Sequence, residues 1–345
     1  MKVAIDISAI SSQHGIRGIG SYTKNLTDEF QKNNSGIKFE FFNGPNNPPV
    51  ADVVHYPYFD LFFHTLPIKR RSKRVVTVHD VIPLVFPQEF KPGTKGKIML
   101  QLQKLALASS DAVICDSKTS KKDVIEKLGY PSNKIYVVYL APANYFRILP
   151  KRELLSVDLN KFNLPNDFVL YVGDVNWNKN IPNLLKAVAL SNANLVMVGK
   201  ALMDDTLKEV QEIIRVTRNL KIENKIKRVG YVKNEDLVKI YNLAQITIAP
   251  SFYEGFGLPV LESMASGTPV ICSNNSSFAE IGGDVATYCD PRKPEDIAEK
   301  INSLIQKGKD SGLQIKLTNH AKNFSWEKTA KETIDVYENV VKSSK

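Results

Sequence analysis

The sequence predicts an α/β fold made of two doubly wound parallel sheets, each flanked by helices and separated by a cleft. Three observations carry this. Short apolar runs of strand length alternate with longer segments of helical spacing along the 345 residues. Several runs, such as Val75 to His79 and Ala112 to Cys115, hold apolar residues at consecutive positions, the mark of strands buried on both faces. Two such series are separated by Ala141 to Pro165, a stretch with three prolines and little periodicity that reads as a linker. Alternating strands and helices imply parallel sheets with crossover helices, and about 150 residues per domain gives two domains. The expected division is 1–160 and 161–324, with a C-terminal helix over 325–342 that packs back on the first domain.

The elements follow in order. Val3 to Ile7 is apolar but contains Asp6, so it reads as a buried strand and not as a secretory signal. Further strands of the first series are Lys38 to Phe42, Asp52 to His55, Val75 to His79, Ala112 to Cys115 and Ile135 to Tyr139. Its clearest helices are Gly20 to Gln31, Gly93 to Ala108 and Lys118 to Leu128. The second series has strands at Phe168 to Gly173, Leu195 to Gly199, Lys225 to Val229, Ile246 to Ala249 and Pro269 to Cys272. Its helices lie near Ile181 to Leu190, Asp205 to Asn219, Asn234 to Leu243 and Pro259 to Ser266. At the C-terminus Ala330, Ile334, Tyr337 and Val341 form a helical stripe that must be buried against something.

Composition narrows the function classes. The chain is 43% hydrophobic and 24% charged, close to the globular average, which argues against disorder and coiled coil. No run approaches the roughly 18 apolar residues a membrane helix needs. Cys115, Cys272 and Cys289 are too few and too scattered for a disulfide framework or a zinc site and read as buried thiols in a reducing cytoplasm. The 46 Lys and Arg against 36 Asp and Glu leave a net +10. That balance suits a polyanionic partner (nucleic acid, anionic lipid or a phosphorylated small molecule) as well as plain solubility. A nucleic-acid binder would show a basic stripe with interleaved aromatics, and none is present. The densest cluster, Lys69 to Arg74, reads as a solvated connection or as a face toward an anionic acceptor or membrane surface.

The segment most informative about chemistry is Ser251 to Ile271, SFYEGFGLPVLESMASGTPVI. A strand ends at Pro250, a glycine-bearing loop follows, Pro259 opens a short helix, and Gly267 closes it. Loop N–H groups and the positive end of a helix dipole make a site for phosphate oxygens or sugar hydroxyls. Gly255 and Gly257 allow close backbone approach to a ligand. Glu254 and Glu262 are acceptor-only carboxylates suited to vicinal diols, although two glutamates at this spacing also fit a dipole-complementing Glu262 and a solvated Glu254.

EGFGLPVLESMASGTPVI closely resembles the signature of the retaining nucleotide-sugar glycosyltransferases of group 1. The resemblance implies a GT-B architecture, two doubly wound Rossmann-like domains facing a cleft. It also implies that Glu254 contacts the donor sugar, that Glu262 holds the ribose hydroxyls, and that backbone N–H groups from Gly255 through Phe256 and Gly257 to Leu258 bind sugar hydroxyls and phosphate.

The resemblance runs along essentially the whole chain. Tyr171-Val172-Gly173 followed by Lys179-Asn180 is similar to the family's grip on the donor diphosphate, with Lys179 as a point charge. Many relatives carry Arg after this glycine or before this lysine, where this chain has Asp174 and Asn178, so Arg17 and Lys200 are candidates to complete the clamp. The stretch Gly15 to Tyr22, with Gly18 and Gly20, resembles the family's first loop at the donor phosphate and the acceptor. The acid that would end the second strand of a dinucleotide-binding unit is absent near Phe41-Phe42-Asn43. His79, in the segment Thr77-Val78-His79-Asp80-Val81-Ile82-Pro83, matches a histidine that the family places beside the donor hexose. Asp80 reads as a turn cap. Asp116 to Asp123 reads as a serine-capped helix start. Tyr231 is implied to lie near the nucleotide base.

The expectation is therefore a retaining hexosyltransferase with His79 and Glu254 as catalytic residues. It needs no cofactor or bound metal, since cationic side chains and helix dipoles can carry the leaving diphosphate. The donor is a nucleotide sugar, with GDP-mannose ahead of UDP-hexoses because the HD-x-x-P segment resembles mannosyltransferases of surface-polysaccharide assembly. The acceptor is a glycan or lipid-linked hydroxyl, with no nucleic acid partner. The expected location is the cytoplasm, in peripheral contact with an anionic membrane at its inner face. A nucleotide-sugar epimerase of the same fold and a non-catalytic sugar-binding protein are the alternatives.

Overall fold

A computed structural model describes residues 1–11, 18–32, 36–155 and 162–343. The chain forms two compact units, Met1–Ala141 with Phe324–Lys345 and Pro142–Asn323.

The first unit holds a six-stranded parallel sheet of β1 (Lys2–Asp6), β2 (Lys38–Phe42), β3 (Val53–Tyr56), β4 (Lys73–Val78), β5 (Ala112–Cys115) and β6 (Ile135–Val137), ordered β2-β1-β3-β4-β5-β6. The second holds β7 (Val169–Val172), β8 (Leu195–Val198), β9 (Ile226–Val229), β10 (Ile246–Ala249), β11 (Val270–Ser273) and β12 (Thr287–Cys289), ordered β12-β11-β10-β7-β8-β9, again parallel throughout. Both orders are those of doubly wound sheets. The consecutive apolar residues of β3, β5, β7 and β8 are buried on both faces, as the patterning requires. Asp6 is accommodated at the end of β1 because its Oδ1 accepts from the backbone N–H groups of Ser8 and Gly44, both at 2.9 Å.

Three features differ from the sequence reading. The described part of the Ala141 to Pro165 stretch is no free linker, and the second unit begins at Pro142 and not after residue 160. Phe146 and Leu149 are buried in the second core, and Asn242 clamps them by accepting from Leu149 N and donating to Arg147 O, both at 2.9 Å. Isolated apolar residues carry no periodicity, so spacing could not reveal this packing. Strand β12 and the helices Pro294–Lys307 and Ser311–Ala321 complete the second unit without having been anticipated. Arg74, read as part of a solvated cluster, is buried, its guanidinium donating to Ala106 O, Ser109 Oγ and Lys69 O at 3.0–3.1 Å.

The helix Trp326–Lys342 belongs to the first unit. Ser325 caps it, and Trp326, Ala330, Ile334 and Tyr337 are buried. Thr329 donates to Tyr139 O at 2.7 Å. The Tyr337 hydroxyl meets His55 Nδ1 at 2.7 Å, a contact spanning 282 residues of chain.

Candidate functional site

In the second unit the strand order reverses between β7 and β10, and ligands of such sheets bind beyond the carboxyl ends of the strands at that point. The loops leaving these two strands are laced together there. Phe252 N donates to Asn178 O at 2.7 Å, and Asn178 Nδ2 donates to Tyr253 O at 2.9 Å. Asn180 Nδ2 donates to Pro250 O and Pro291 O at 2.9 and 2.6 Å, and the Trp177 ring packs on Phe252. Asn178 is thus a buried structural tie. Asp174 turns back on its own loop, accepting from Val175 N at 2.8 Å.

This lacing sets Lys179 against Glu254. Lys179 Nζ lies 2.8 Å from both carboxylate oxygens, and Ser251 Oγ donates to Oε1 at 2.7 Å. An ammonium has three donors, and among the described residues Glu254 takes two of them. The backbone of the glutamate loop is held in turn by Ser276, whose Oγ accepts from Glu254 N at 3.1 Å. Ser277 donates to Glu254 O at 3.0 Å and to Phe256 O at 2.6 Å. The loop ends at Gly257, whose φ of +103° is left-handed, and a Cβ there would lie 2.5 Å from Phe278 Cε1. Only glycine fits this turn into the helix Leu258–Ala265. Gly255 and Phe256 are buried in the loop and Leu258 starts the helix. Glu262 accepts from the Tyr241 hydroxyl at 2.7 Å, which fixes one carboxylate oxygen.

Lys200 and Tyr231 follow β8 and β9 on the same edge of the sheet, on the far side of β7 from β10. Both are exposed, and no hydrogen bond joins either to Lys179 or Glu254. The structure therefore does not pair Lys200 with the clamp. Gly199, which leads into Lys200, has no room for a side chain, since a Cβ there would lie 2.1 Å from Gly173 O.

In the first unit His79 follows β4 and pairs with Asp116, which follows the neighbouring β5. Nδ1 is 2.6 Å from Asp116 Oδ2, and Nε2 is 3.0 Å from Pro57 O. Pro57 O can only accept, so Nε2 donates to it, and Nδ1 shares a proton with the Asp116 carboxyl, whose own pKa burial raises. Burial pulls its pKa down, but the Asp116 carboxylate outweighs this and the net direction is up. Asp116 is 2% exposed, and its Oδ1 has no hydrogen-bond partner among the described residues. Ser120 Oγ donates to His79 O at 2.8 Å. The Tyr22 ring stands edge-on to the imidazole at 4.8 Å. Behind it Tyr22, Thr77, His55 and Tyr337 form a buried hydrogen-bonded chain with links of 2.7–3.0 Å. His55 is held neutral, its pKa lowered to about 3 by burial. Asp80 caps its turn by accepting from Ile82 N at 3.0 Å, and Ser117 caps the next helix by accepting from Ser120 N at 2.9 Å. Gly18 has φ +62° and precedes the helix Ile19–Lys32, in which Gly20 is buried. Arg17 lies outside the described residues.

The sequence reading missed Asp116 as a partner of His79, and Ser276, Ser277 and Tyr241 as supports of the glutamates. One signal for Asp116 was available: like His79, it ends a strand of the same sheet.

Two family profiles match the chain, "Glycosyl transferases group 1" over residues 158–324 and "Glycosyltransferase Family 4" over residues 50–141. O-antigen chain mannosyltransferase B of Escherichia coli is 33% identical over 299 residues, covering 84% of this chain and 75% of that protein. The chain belongs to the group 1 glycosyltransferases. Among other relatives of this glycosyltransferase, serotype-specific mannosyltransferase WbdA of Escherichia coli is 26% identical over 281 residues. The match covers 79% of this chain but only 34% of that larger protein. Solved structures agree on the GT-B fold. Sucrose-phosphate synthase from Thermosynechococcus elongatus superposes with a TM-score of 0.75 at 17% identity, over 99% of both chains. Anabaena HepE, solved with UDP and glucose, gives 0.72 at 16% identity over 98% of this chain and 99% of that one.

Proposed function

We propose that this glycosyltransferase moves mannose, with retention of configuration, from GDP-mannose to a hydroxyl of a glycan or lipid-linked acceptor in surface-polysaccharide assembly. The observation that carries the reading is the Lys179–Glu254 pair at the strand-order reversal, with Glu262 eight residues on. An ammonium and a helix N-terminus at that place suit a diphosphate. Carboxylates suit the hydroxyls of hexose and ribose. The mannosyltransferase relatives support mannose, and the UDP complex of HepE keeps UDP-hexoses as the second donor class.

In this reading Lys179 and the N-terminus of Ile181–Ser191 take the diphosphate, and Glu262, braced by Tyr241, takes the ribose. Glu254 orients the hexose, and His79 keeps, by family resemblance, the catalytic role expected for it in the first unit. Charge developing on the leaving diphosphate is met by fixed dipoles and the ammonium. The acceptor attacks the face the diphosphate is leaving, and a departing phosphate oxygen accepts its proton. Both matched profiles are transferase profiles, which favours transfer over epimerisation.

Thermal shifts across GDP-, UDP- and ADP-sugars test the donor, because bound ligand raises apparent stability. GDP-mannose should give the largest shift, and Glu262→Ala should weaken its binding by roughly ten- to hundredfold, the loss of one charge-assisted hydrogen bond. No shift with any nucleotide sugar would overturn the reading, and so would release of an altered nucleotide sugar in place of a transferred hexose.

A further inference from the structure

In the second unit a closed ring of hydrogen bonds begins and ends at the Glu262 turn. Glu262 accepts from the Tyr241 hydroxyl at 2.7 Å. The Tyr241 carbonyl, in the last turn of the helix Asn234–Leu243, accepts from the Thr268 hydroxyl at 2.6 Å. Thr268 is tied back to Ser263, the neighbour of Glu262, by two bonds. Thr268 N donates to Ser263 O at 2.9 Å, and Ser263 Oγ donates to Thr268 O at 2.8 Å. Tyr241, Ser263 and Thr268 are fully buried, whereas Glu262 is only half-buried. The ring therefore carries the direction of the Glu262 carboxylate on buried supports.

A cation reaches this ring from another element. Lys309 stands in the short link Gly308–Asp310 between the helices Pro294–Lys307 and Ser311–Ala321. Gly308, at φ +67°, turns the chain at one end, and Asp310 caps the next helix at the other by accepting from Leu313 N at 2.8 Å. Between these fixed ends Lys309 Nζ donates to Asn242 O at 2.8 Å and to Thr268 Oγ1 at 3.0 Å. Asn242 lies in the last turn of its helix, where carbonyls lack an intrahelical donor and a cation is favoured. Capping accounts for that bond but not for the second. The Thr268 hydroxyl hydrogen is spent on Tyr241 O, so its oxygen is left to accept, and it accepts from an ammonium. Such a bond is stronger than a neutral one and polarises the next bond in the chain. Burial lowers the Lys309 pKa to about 8, which leaves it largely charged at neutral pH. Asn242 and Thr268 precede β10 and β11, whereas the glutamate loop follows β10. Lys309 thus acts from the opposite edge of the sheet, through Thr268 and Tyr241.

We propose that Lys309 is a positioning residue for nucleotide recognition, its ammonium holding the Thr268–Tyr241 arm that keeps the Glu262 carboxylate turned to the ribose hydroxyls. The proposal rests on the assignment of the ribose to Glu262 made above and names the group that sets that carboxylate from a distance.

The test is calorimetric titration of the whole protein with GDP, or UDP if that binds better, and with its dideoxyribose analogue, which lacks both ribose hydroxyls. Wild type should prefer the hydroxyl-bearing nucleotide by about tenfold or more, the worth of a hydrogen bond to a charged group. Lys309→Met keeps the length of the side chain and removes its donors. It should weaken binding of the ordinary nucleotide by about three- to tenfold and leave the dideoxy analogue within about twofold. Thr268→Val breaks the same arm without touching Lys309 and should do likewise, while Thr268→Ser, which keeps the hydroxyl, should bind as wild type does. In a Tyr241→Phe background, where the arm no longer reaches Glu262, Lys309→Met should change affinity by less than about twofold. Equal losses for both nucleotides would make Lys309 a general support of the unit and overturn the proposal. An undiminished preference for the ribose hydroxyls in both Lys309→Met and Thr268→Val would also overturn it, with the Glu262 assignment left standing. A wild type that does not distinguish the two nucleotides would instead remove the Glu262 assignment itself, and the proposal with it.

Discussion

The Lys179–Glu254 pair makes a prediction of opposite signs. Lys179 Nζ sits 2.8 Å from both oxygens of Glu254, so any diphosphate that uses this ammonium must share it with a carboxylate. Lys179→Met removes the cation. A hydrogen bond to a charged group contributes about 1.5–3 kcal/mol, so nucleoside diphosphate affinity should fall by roughly ten- to hundredfold. Glu254→Gln keeps the shape and removes the competing charge. The pair is partly exposed, with side-chain accessibilities of 21% and 13%, so the attraction released is moderate, about 1 kcal/mol. Nucleoside diphosphate should therefore bind about fivefold more tightly to this variant, while sugar transfer slows because the neutral amide meets the hexose less well as charge develops. Calorimetric titration with GDP and GMP, or UDP and UMP if those bind better, reads both effects. The monophosphate lacks the second phosphate and should be affected less. Weaker diphosphate binding by Glu254→Gln, or equal loss of mono- and diphosphate affinity in Lys179→Met, would refute the competition argument.

Two further outcomes follow from the geometry. His79 faces the Asp116 carboxylate, Pro57 O and the Tyr22 ring, with Asp80 and neutral His55 nearby. Burial works against its charge, but Asp116 holds the net pKa above the ordinary value, so the charged ring's stabilisation is present near about pH 6.5 and is lost as pH rises through the raised value, while at the acid end it goes as Asp116, its own pKa raised by burial, takes up a proton. Asp116→Asn should move the NMR titration of the His79 ring, and the high-pH fall in transfer rate, to lower pH. An unmoved titration would show that the carboxylate does not hold the charge. Gly257→Ala combines a left-handed φ with a 2.5 Å clash against Phe278. Strain and overpacking together cost about 2–5 kcal/mol, so calorimetry should show the apparent melting temperature lowered by at least about 4 °C. A change within about 1 °C would mean the loop relaxes freely.

Eleven of the twelve strands and the helix carrying Glu262 were legible because apolar spacing is a local property, read within a window of a few residues. The sites of Lys179 and Glu254 were legible because doubly wound sheets put their loops at strand ends. Strand β12, Thr287–Cys289, was not, since three residues, two of them half-buried, leave no pattern. Neither was the core role of Phe146 and Leu149, whose burial depends on the helix Asn234–Leu243 almost a hundred residues later.

By itself the amino-acid sequence determined the α/β class, the two sheets, the glutamate loop and the family resemblance, because each is written in contiguous residues. Tertiary structure alone decided which side chains became partners. His79 and Asp116 are 37 residues apart, Lys179 and Glu254 75, and His55 and Tyr337 282. The physical reason is that a charge is set by whatever acceptor folding brings within about 3 Å, and no local window contains that acceptor. The same holds for Arg74, whose burial in a basic cluster became tolerable only once the helix Thr94–Ala108 offered Ala106 O and Ser109 Oγ to its guanidinium.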